Sequence, residues 1–370
     1  MPKEYTDYQF RLEVGSPVAA DSPFDSDTLW GRILCSLVLG SKEERALATN
    51  WLNELKDKPP DWQPPLLVSE GFQCDAGGEP WLPLPLATKR QLESLGASPA
   101  GAEARASRKD LKKISSVPLS QFAQLCASKI DVPKLLELRL RAPRLAPALQ
   151  PHLAMDRLSG TGVKGRLYMR ALHVYLPKSA EGEARENKPS PRKPQHSLIV
   201  FFLRLRDPQY DALIRAALER ICDEGWGSAK SRGLGRIKFK EYGRWQPTWP
   251  VEPSEGFVSL SHFCPASTDP TEGYWKIQPK HPVPAQFLDG RRVVLGEEAK
   301  EKWRVKSFLR LRAGSCFRYP PGLSAKGWNG RMLEGLVSPA TDANGEALPP
   351  LYHYALAFPV PIRWAPKIGP

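Results

Sequence analysis

Residues 225–236 read Gly-Trp-Gly-Ser-Ala-Lys-Ser-Arg-Gly-Leu-Gly-Arg, and they carry the chemistry most easily read from this chain. Four glycines fall within eleven positions, interleaved with Lys230, Arg232 and Arg236. Glycine admits positive φ and lets a backbone approach a ligand closely. Successive N–H groups in such a turn form a concavity that binds anions. With three cations and the Trp226 ring beside them, the matching ligand is a phosphodiester chain. The candidate contacts are Trp226, Gly227, Ser228, Ala229, Lys230, Ser231, Arg232, Gly233, Leu234 and Gly235. The competing reading is a long connection that is glycine-rich for steric reasons alone.

Other reactive groups are sparse. The six cysteines are scattered without a Cys-x-x-Cys pair, so neither a zinc site nor a disulfide framework is expected, and a reducing cytoplasm is. No carboxylates pair at helical spacing in the manner of a metal nuclease, and no metal or cofactor is expected. A formal charge of +13 favours a polyanionic partner. There is no apolar leader and no run of eighteen apolar residues, so a soluble protein with no membrane partner is expected.

The elements that must position the loop follow from periodicity. Tyr8, Phe10, Leu12 and Val14 alternate with polar neighbours as in a half-buried strand. Asp25 or Ser26 then caps a helix whose Leu29, Trp30, Ile33, Leu34, Leu37 and Val38 share a face, with Gly40 as its stop. Proline-dense chain follows, with a short strand near Leu66–Val68. From Lys89 to Arg144, twelve cations face five anions, a net +7 and more than half the charge of the whole chain. This stretch reads either as a solvated insertion or as an arm lying along RNA. An alternating strand spans Leu167–Tyr175, and 178–196 is polar enough to lack structure. Ser197–Leu205 is a buried strand; a helix carrying Tyr210, Leu213, Ile214, Ala217, Leu218 and Ile221 feeds the glycine-rich loop, and a strand restarts at Ile237. Residues 245–255 read as a linker.

The order β-α-(insertion)-β-β-α-(loop)-β suits an α+β chain of two ferredoxin-like, RRM-like domains in tandem. The first covers 1–244, with a basic insertion at about 57–150 and the glycine-rich loop at 225–236. The second, 256–370, is more β-rich, with strands near Gly256–His262, Tyr274–Gln278, Lys306–Arg312, Cys316–Tyr319 and His353–Val360, and long Pro-rich loops.

Phe24-Asp25-Ser26-Asp27-Thr28-Leu29-Trp30-Gly31 is similar to the "HSDTLFG" start of the RAMP proteins of CRISPR systems, and in particular resembles the fourth subunit of the type III-A Csm interference complex, in the Cas-five group. Asp156-Arg157 with Gly165-Arg166-Leu167-Tyr168, the loop at Gly225–Gly235, Ala313-Gly314-Ser315-Cys316-Phe317 and Tyr354–Ile362 resemble further stretches of that family, in order. Phe24-Asp25 stands where the family often has a histidine, and 89–150 matches nothing in it. The resemblance implies a non-catalytic subunit that caps one end of a complex and holds the repeat-derived 5′ tag of the crRNA. It also implies contact with the large polymerase-like subunit and a backbone RAMP subunit, with target RNA nearby but mostly indirect.

On this reading Trp226, Tyr168 and Arg157 are candidates for stacking on splayed bases. Lys164 and Arg166 add charge, and Ser26, Asp27 and Arg32 sit at a helix N-terminus that attracts phosphate, unless they only cap it. Lys306, Arg310 and Arg312 alternate along one strand as a basic track for RNA or an acidic protein. The alternative is a metal-independent RAMP endoribonuclease that processes repeat RNA, with His152 the best placed of His152, His173, His196, His262, His281 and His353. A third reading is a protein scaffold without RNA contact.

Overall fold

Alternation in the first strand translates directly into a buried face. In β1 (Thr6–Val14) the side chains of Tyr8, Phe10 and Leu12 are buried while Gln9 and Arg11 between them are half-exposed. The computed structural model describes residues 4–19, 24–58, 62–95, 110–139, 141–155, 159, 161–176, 197–227, 230–247, 249, 254–281, 306–321, 327–334 and 352–364. Helix α1 (Ser26–Val38) follows, turning Leu29, Trp30, Ile33, Leu34 and Leu37 inward. Helix α2 (Lys42–Asp57) is an addition to the sequence reading. It starts at a capping box, in which the Glu44 N–H donates to Ser41 Oγ (3.3 Å) and the Ser41 N–H to Glu44 Oε2 (2.7 Å).

Strand β2 (Leu66–Val68) occupies the span expected of it. Between it and the third strand of the main sheet lie helices α3 (Leu86–Leu95), α4 (Leu119–Cys126) and α5 (Val132–Arg139) and the strands β3 (Arg144–Met155) and β4 (Gly162–Leu176). The described part of the basic stretch is folded, not a free arm. Leu111, Ile114, Val117, Phe122, Leu125 and Leu135 enter the main core, while Lys112, Lys113 and Lys134 point outward. Burial of each such apolar side chain contributes about 1.5–3 kcal/mol, more than ordinary solvated charges can offset. β3 and β4 pair as a long antiparallel hairpin, with Arg144 opposite Leu176 and Leu153 opposite Leu167. Residues 178–196, expected to lack structure, lie outside the described residues.

Strand β5 (Ser197–Leu205), helix α6 (Asp211–Glu224) and strand β6 (Ile237–Arg244) complete the first half. Its sheet runs β2–β5–β1–β6, antiparallel throughout, with Phe72–Gln73 as a short extra strand on β5. Phe10 lies opposite Phe201 in the ladder, and α1 packs against both α6 and α2. The expected linker is partly pinned: Trp245 and Trp249 sit 4.6 Å and 5.7 Å from the Phe202 ring centroid.

The second half contains β7 (Gly256–Ser259), β8 (Gly273–Tyr274), β9 (Ile277–Lys280), β10 (Phe308–Leu311), β11 (Cys316–Arg318) and β12 (Pro359–Ile362). Its sheet runs β8–β11–β7–β12. Counted within each half, both sheets have the order second–third–first–fourth. No helix occurs among the described residues from 254 onward. β9 and β10 form a separate two-stranded ribbon. The halves share one core: Val258, Leu356, Phe358 and Val360 join the cluster built on β1 and β5. Tyr354 stacks on Trp30 (5.6 Å), and its hydroxyl accepts from the Val68 N–H at 2.8 Å. No helix among the described residues is long and apolar enough to cross a membrane.

Candidate nucleic-acid interface

Helix α6 ends at Glu224, and Gly225 leaves it with φ 78°. From there the glycine-rich loop is built as a clamp around Trp226. The Trp226 N–H donates to Gly235 O (2.7 Å), and the Gly235 N–H donates to Pro17 O (2.8 Å). The Arg236 N–H donates to Ser16 Oγ (2.8 Å), and the Gly15 N–H to Arg236 O (2.8 Å). Gly235 is obligatory here: a Cβ would stand 1.7 Å from Trp226 O, and its φ is 66°. Lys230–Arg232 form a tight turn, closed by the Gly233 N–H donating to Lys230 O at 2.9 Å. The N–H groups of Gly225, Trp226, Gly233, Gly235 and Arg236 are therefore spent inside the fold, and any amide offered to a ligand comes from the rest of the turn.

This turn is the electropositive part. Lys230, Ser231, Arg232 and Arg236 are exposed at its surface. Partial burial, and then the neighbouring Arg32 charge, draw the Lys230 ammonium below its ordinary pKa, against the pull of Glu224. A lysine held down partly by another cation sits where an anion is welcome.

The structure corrects several assigned roles. Trp226 is 1% exposed and packs on Phe24 (4.8 Å) and Phe201 (6.0 Å), so its indole anchors the loop and has no face to offer a base. Arg32 holds the loop from behind. Its Nη1 donates to Gly225 O (2.6 Å), its Nη2 pairs with Glu224 (2.9 Å), and its guanidinium lies 5.2 Å from the Trp226 ring centroid. Ser26 is buried and the Asp27 side chain is 7% exposed, and both are already engaged inside the fold: the Ser26 hydroxyl donates to Glu70 Oε1 at 2.8 Å, and Asp27 is ion-paired with Lys280. Ser228, Ala229 and Arg157 lie outside the described residues. Lys164 and Arg166 lie on β4, whose base is fastened to residues 15–19 by reciprocal N–H to O bonds between Val18 and His173 (3.0 and 2.8 Å). The same short segment docks the glycine-rich loop, so loop and hairpin spring from one place. At about 3.3 Å per residue, Arg166 stands about 23 Å along the strand from His173. The basic track dissolves: Lys306 and Arg312 are exposed beyond the two ends of β10, but Arg310 is 3% exposed.

Arg310 belongs to an ion cluster that the sequence reading missed. Asp25 Oδ2 accepts from Arg310 Nη2 and Lys280 Nζ, both at 2.9 Å. Asp27 pairs with Lys280 (2.9 Å), His353 Nε2 (3.3 Å) and Arg310 Nη1 (3.6 Å). Glu70 pairs with His262 Nδ1 (2.7 Å) and accepts from the His262 N–H (2.9 Å). Burial pushes Asp27 up, but the His353 hydrogen bond and the Lys280 and Arg310 charges outweigh it and hold the carboxyl far below the usual range. Burial is likewise outweighed at Glu70, chiefly by His262, which brings it to about 2. Asp25 goes the other way, raised by burial and then by the Glu70 and Asp27 charges. Asp25, Glu70 and His262 each bring a potential ligand atom within 4.8 Å of the others. A dication there would face two fixed cations already bonded to Asp25, so the cluster reads as an ion-paired lock between the halves. His262 and His353 are spent on it, and His281 Nδ1 lies 2.6 Å from Ser307 Oγ. His152 lies on β3, opposite Tyr168 of β4 in the ladder.

No family model matches the chain, and no curated protein matches it by sequence. Solved structures do. The crystal structure of the Csm3–Csm4 subcomplex in the type III-A CRISPR-Cas interference complex contains a chain matching with a TM-score of 0.53 at 14% identity, over 95% of this chain and 99% of that one. The Csm1–Csm4 cassette in complex with cA3 matches with 0.51 at 14%, over 98% and 100%. The same cassette with pppApA gives 0.50 at 16%, over 97% and 99%. These three structures all contain Csm4, and the chains matched in them are alike in fold to this one over nearly the full length.

Proposed function

We propose that this chain is a non-catalytic, RNA-binding subunit of a type III CRISPR interference complex in the cytoplasm. It holds the 5′ repeat-derived tag of a crRNA and links the large polymerase-like subunit to the backbone RAMP subunits, with target RNA close but largely untouched. The observation that carries this reading is the near-full-length likeness to Csm4 in structures that pair it with Csm1 in one case and Csm3 in another. The repeated strand order of the two sheets supports two ferredoxin-like units in tandem, the second without a helical layer among its described residues.

The RNA contact is assigned to the exposed turn of the glycine-rich loop, where Lys230, Arg232 and Arg236 stand on a backbone fixed by Trp226 and Gly235. A rigid cationic turn loses little conformational freedom on binding a phosphate chain. The test is affinity for a labelled RNA carrying a repeat-derived 5′ end, measured across salt concentrations. The double substitution Lys230→Ala/Arg232→Ala should weaken binding about tenfold or more and reduce the salt slope by about 1.4, at about 0.7 per lost phosphate contact to a single strand. Unchanged affinity and slope reject the loop as the site. The same RNA should survive incubation with the protein in EDTA; specific cleavage abolished by His152→Ala would establish the endoribonuclease instead.

A further inference from the structure

Helix α6 and strand β6 carry the glycine-rich loop between them at one end; at the other they border a small cavity. Tyr8 of β1 lies opposite Arg244 of β6 in the ladder, and Phe10 opposite Tyr242, so these four side chains share one face of the sheet. That face is the one α6 covers, where the Arg215 guanidinium lies 5.7 Å from the Phe239 ring centroid. The Tyr8 and Tyr242 rings stack at 5.2 Å, interplanar angle 4°. Together with Asp211, Arg215 and Arg244 they line a cavity of about 240 Å³. Tyr8 is 1% exposed, and its hydroxyl has no hydrogen-bond partner. Burial raises the Tyr8 pKa, after which Arg244 lowers it and Asp211 raises it; both side chains stand near the hydroxyl, yet neither closes a hydrogen bond with it. No ion pair joins Arg244 or Asp211 to any described residue. Arg215 spends its Nε on Glu219, at 2.9 Å. A buried hydroxyl left unpaired is costly, and beside a cavity it takes its partner from whatever fills that cavity.

We infer that this cavity is a ribose-phosphate site, a second hold on the same RNA chain that the glycine-rich loop grips. The inference rests on the function proposed above and adds to it a site that tells RNA from DNA. A ligand that completes the cavity needs an acid for Arg215 and Arg244 and a hydroxyl that donates to Asp211. A sugar–phosphate unit of RNA brings both, its phosphate to the guanidiniums and its 2′-hydroxyl to the carboxylate. DNA lacks that donor. A protein carboxylate would answer the guanidiniums but set a second negative charge against Asp211 in the same small space. The volume suits a single unit, being below the roughly 300–1,000 Å³ of pockets that enclose a drug-sized ligand. The placement suits a shared chain: α6 has 14 residues, so the cavity at its start stands about 20 Å from the loop at its end.

The test uses the full chain, a labelled RNA with a repeat-derived 5′ end, and DNA of the same sequence. Wild type should bind the RNA more tightly than the DNA. Arg244→Gln should weaken RNA binding about fivefold and lower the salt slope by about 0.7, the share of one phosphate contact to a single strand. Asp211→Asn should narrow the preference for RNA over DNA about tenfold, the scale of one hydrogen bond to a charged group. Tyr8→Phe deletes only the unpaired hydroxyl, so the melting temperature should not fall, while RNA affinity should drop about threefold. A wild type that binds RNA and DNA alike overturns the inference. So do Arg244→Gln and Asp211→Asn proteins with wild-type affinity, slope and preference, which would leave water alone in the cavity. In either case Lys230→Ala/Arg232→Ala still weakens RNA binding, and the proposed function stands. Losses of affinity matched by falls in melting temperature in all three variants would make the cluster purely structural and overturn the inference too. A wild type that binds no RNA overturns the proposed function, and the inference falls with it.

Discussion

Replacing Arg310 with methionine separates a surface track from an internal lock. In the structure the guanidinium is 3% exposed and shared by Asp25 and Asp27. Methionine keeps the approximate length of the side chain and removes its charge, leaving Lys280 and His353 to face two buried carboxylates. Removing one partner of a buried pair costs about 3–5 kcal/mol, because the remaining charge is stranded. At about 2 °C per kcal/mol for a chain of this size, the melting temperature should fall by about 8 °C. The loss should depend on pH with a definite sign. Asp25 already has a raised folded pKa, and without Arg310 it rises further. Lowering the pH protonates Asp25 and removes the stranded charge, so the gap between variant and wild type should narrow from pH 8 to pH 5. Asp27 and Glu70 have depressed folded values. Their contribution is present above the ordinary carboxylate range and is lost as pH falls through those folded values, below the window of this measurement. The control is Arg312→Met, exposed two residues away, which should stay within about 0.5 kcal/mol of wild type. Thermal melts of the three proteins across pH decide the matter. Equal melting of both variants, or a gap that does not change with pH, would refute the lock.

Gly235→Ala should abolish high-affinity RNA binding and lower stability, since its Cβ would overlap Trp226 O at a positive φ; fluorescence of the loop tryptophan and RNA titration check both. Trp226→Ala should cost about 3–5 kcal/mol, as for other buried aromatic truncations, measured by denaturant melts. Arg32→Lys keeps a cation but not the planar fork that meets Gly225 O and Glu224. It should weaken RNA binding with the salt slope unchanged, because no phosphate contact is removed; a slope that falls as it does for Lys230→Ala/Arg232→Ala would place Arg32 on the RNA.

Local pattern made much of the first half legible. The alternation of β1, the apolar run of β5 and the helical spacing of α6 each encode burial within a few residues, and the structure has them where the sequence placed them. Helix α2 was legible too, since Ser41-x-x-Glu44 followed by Leu47, Trp51 and Leu55 is a capped amphipathic helix. β3 was hidden by Pro147 and Pro151, which argue against a strand interior. They are tolerated because they lie four apart, on the same side of a two-stranded ladder. The charge count of 89–144 misled for another reason: cations dominate its surface while its apolar residues, fewer and spaced apart, decide where it packs. The lock could not be read locally. Asp25 and Arg310 are 285 positions apart, and nothing near either residue names the other.

The lock also gives the motif around Asp25 and Asp27 a physical role that base contact does not. Both carboxylates sit at the first turn of α1, and Arg32 lies five residues beyond Asp27 on the same helix. At 1.5 Å per residue that is about 7.5 Å of rigid helix between the lock and the hand that holds the glycine-rich loop. The position of α1 along its axis is set at one end by Lys280, Arg310 and His353 of the second half. At its middle, through Arg32, it holds Gly225 and Trp226. The second half is therefore connected to the cationic turn through α1. Arg310→Met should, by this route, weaken RNA binding at pH 8 more than at pH 5, in step with its stability, whereas substitutions within the turn should weaken it equally at both.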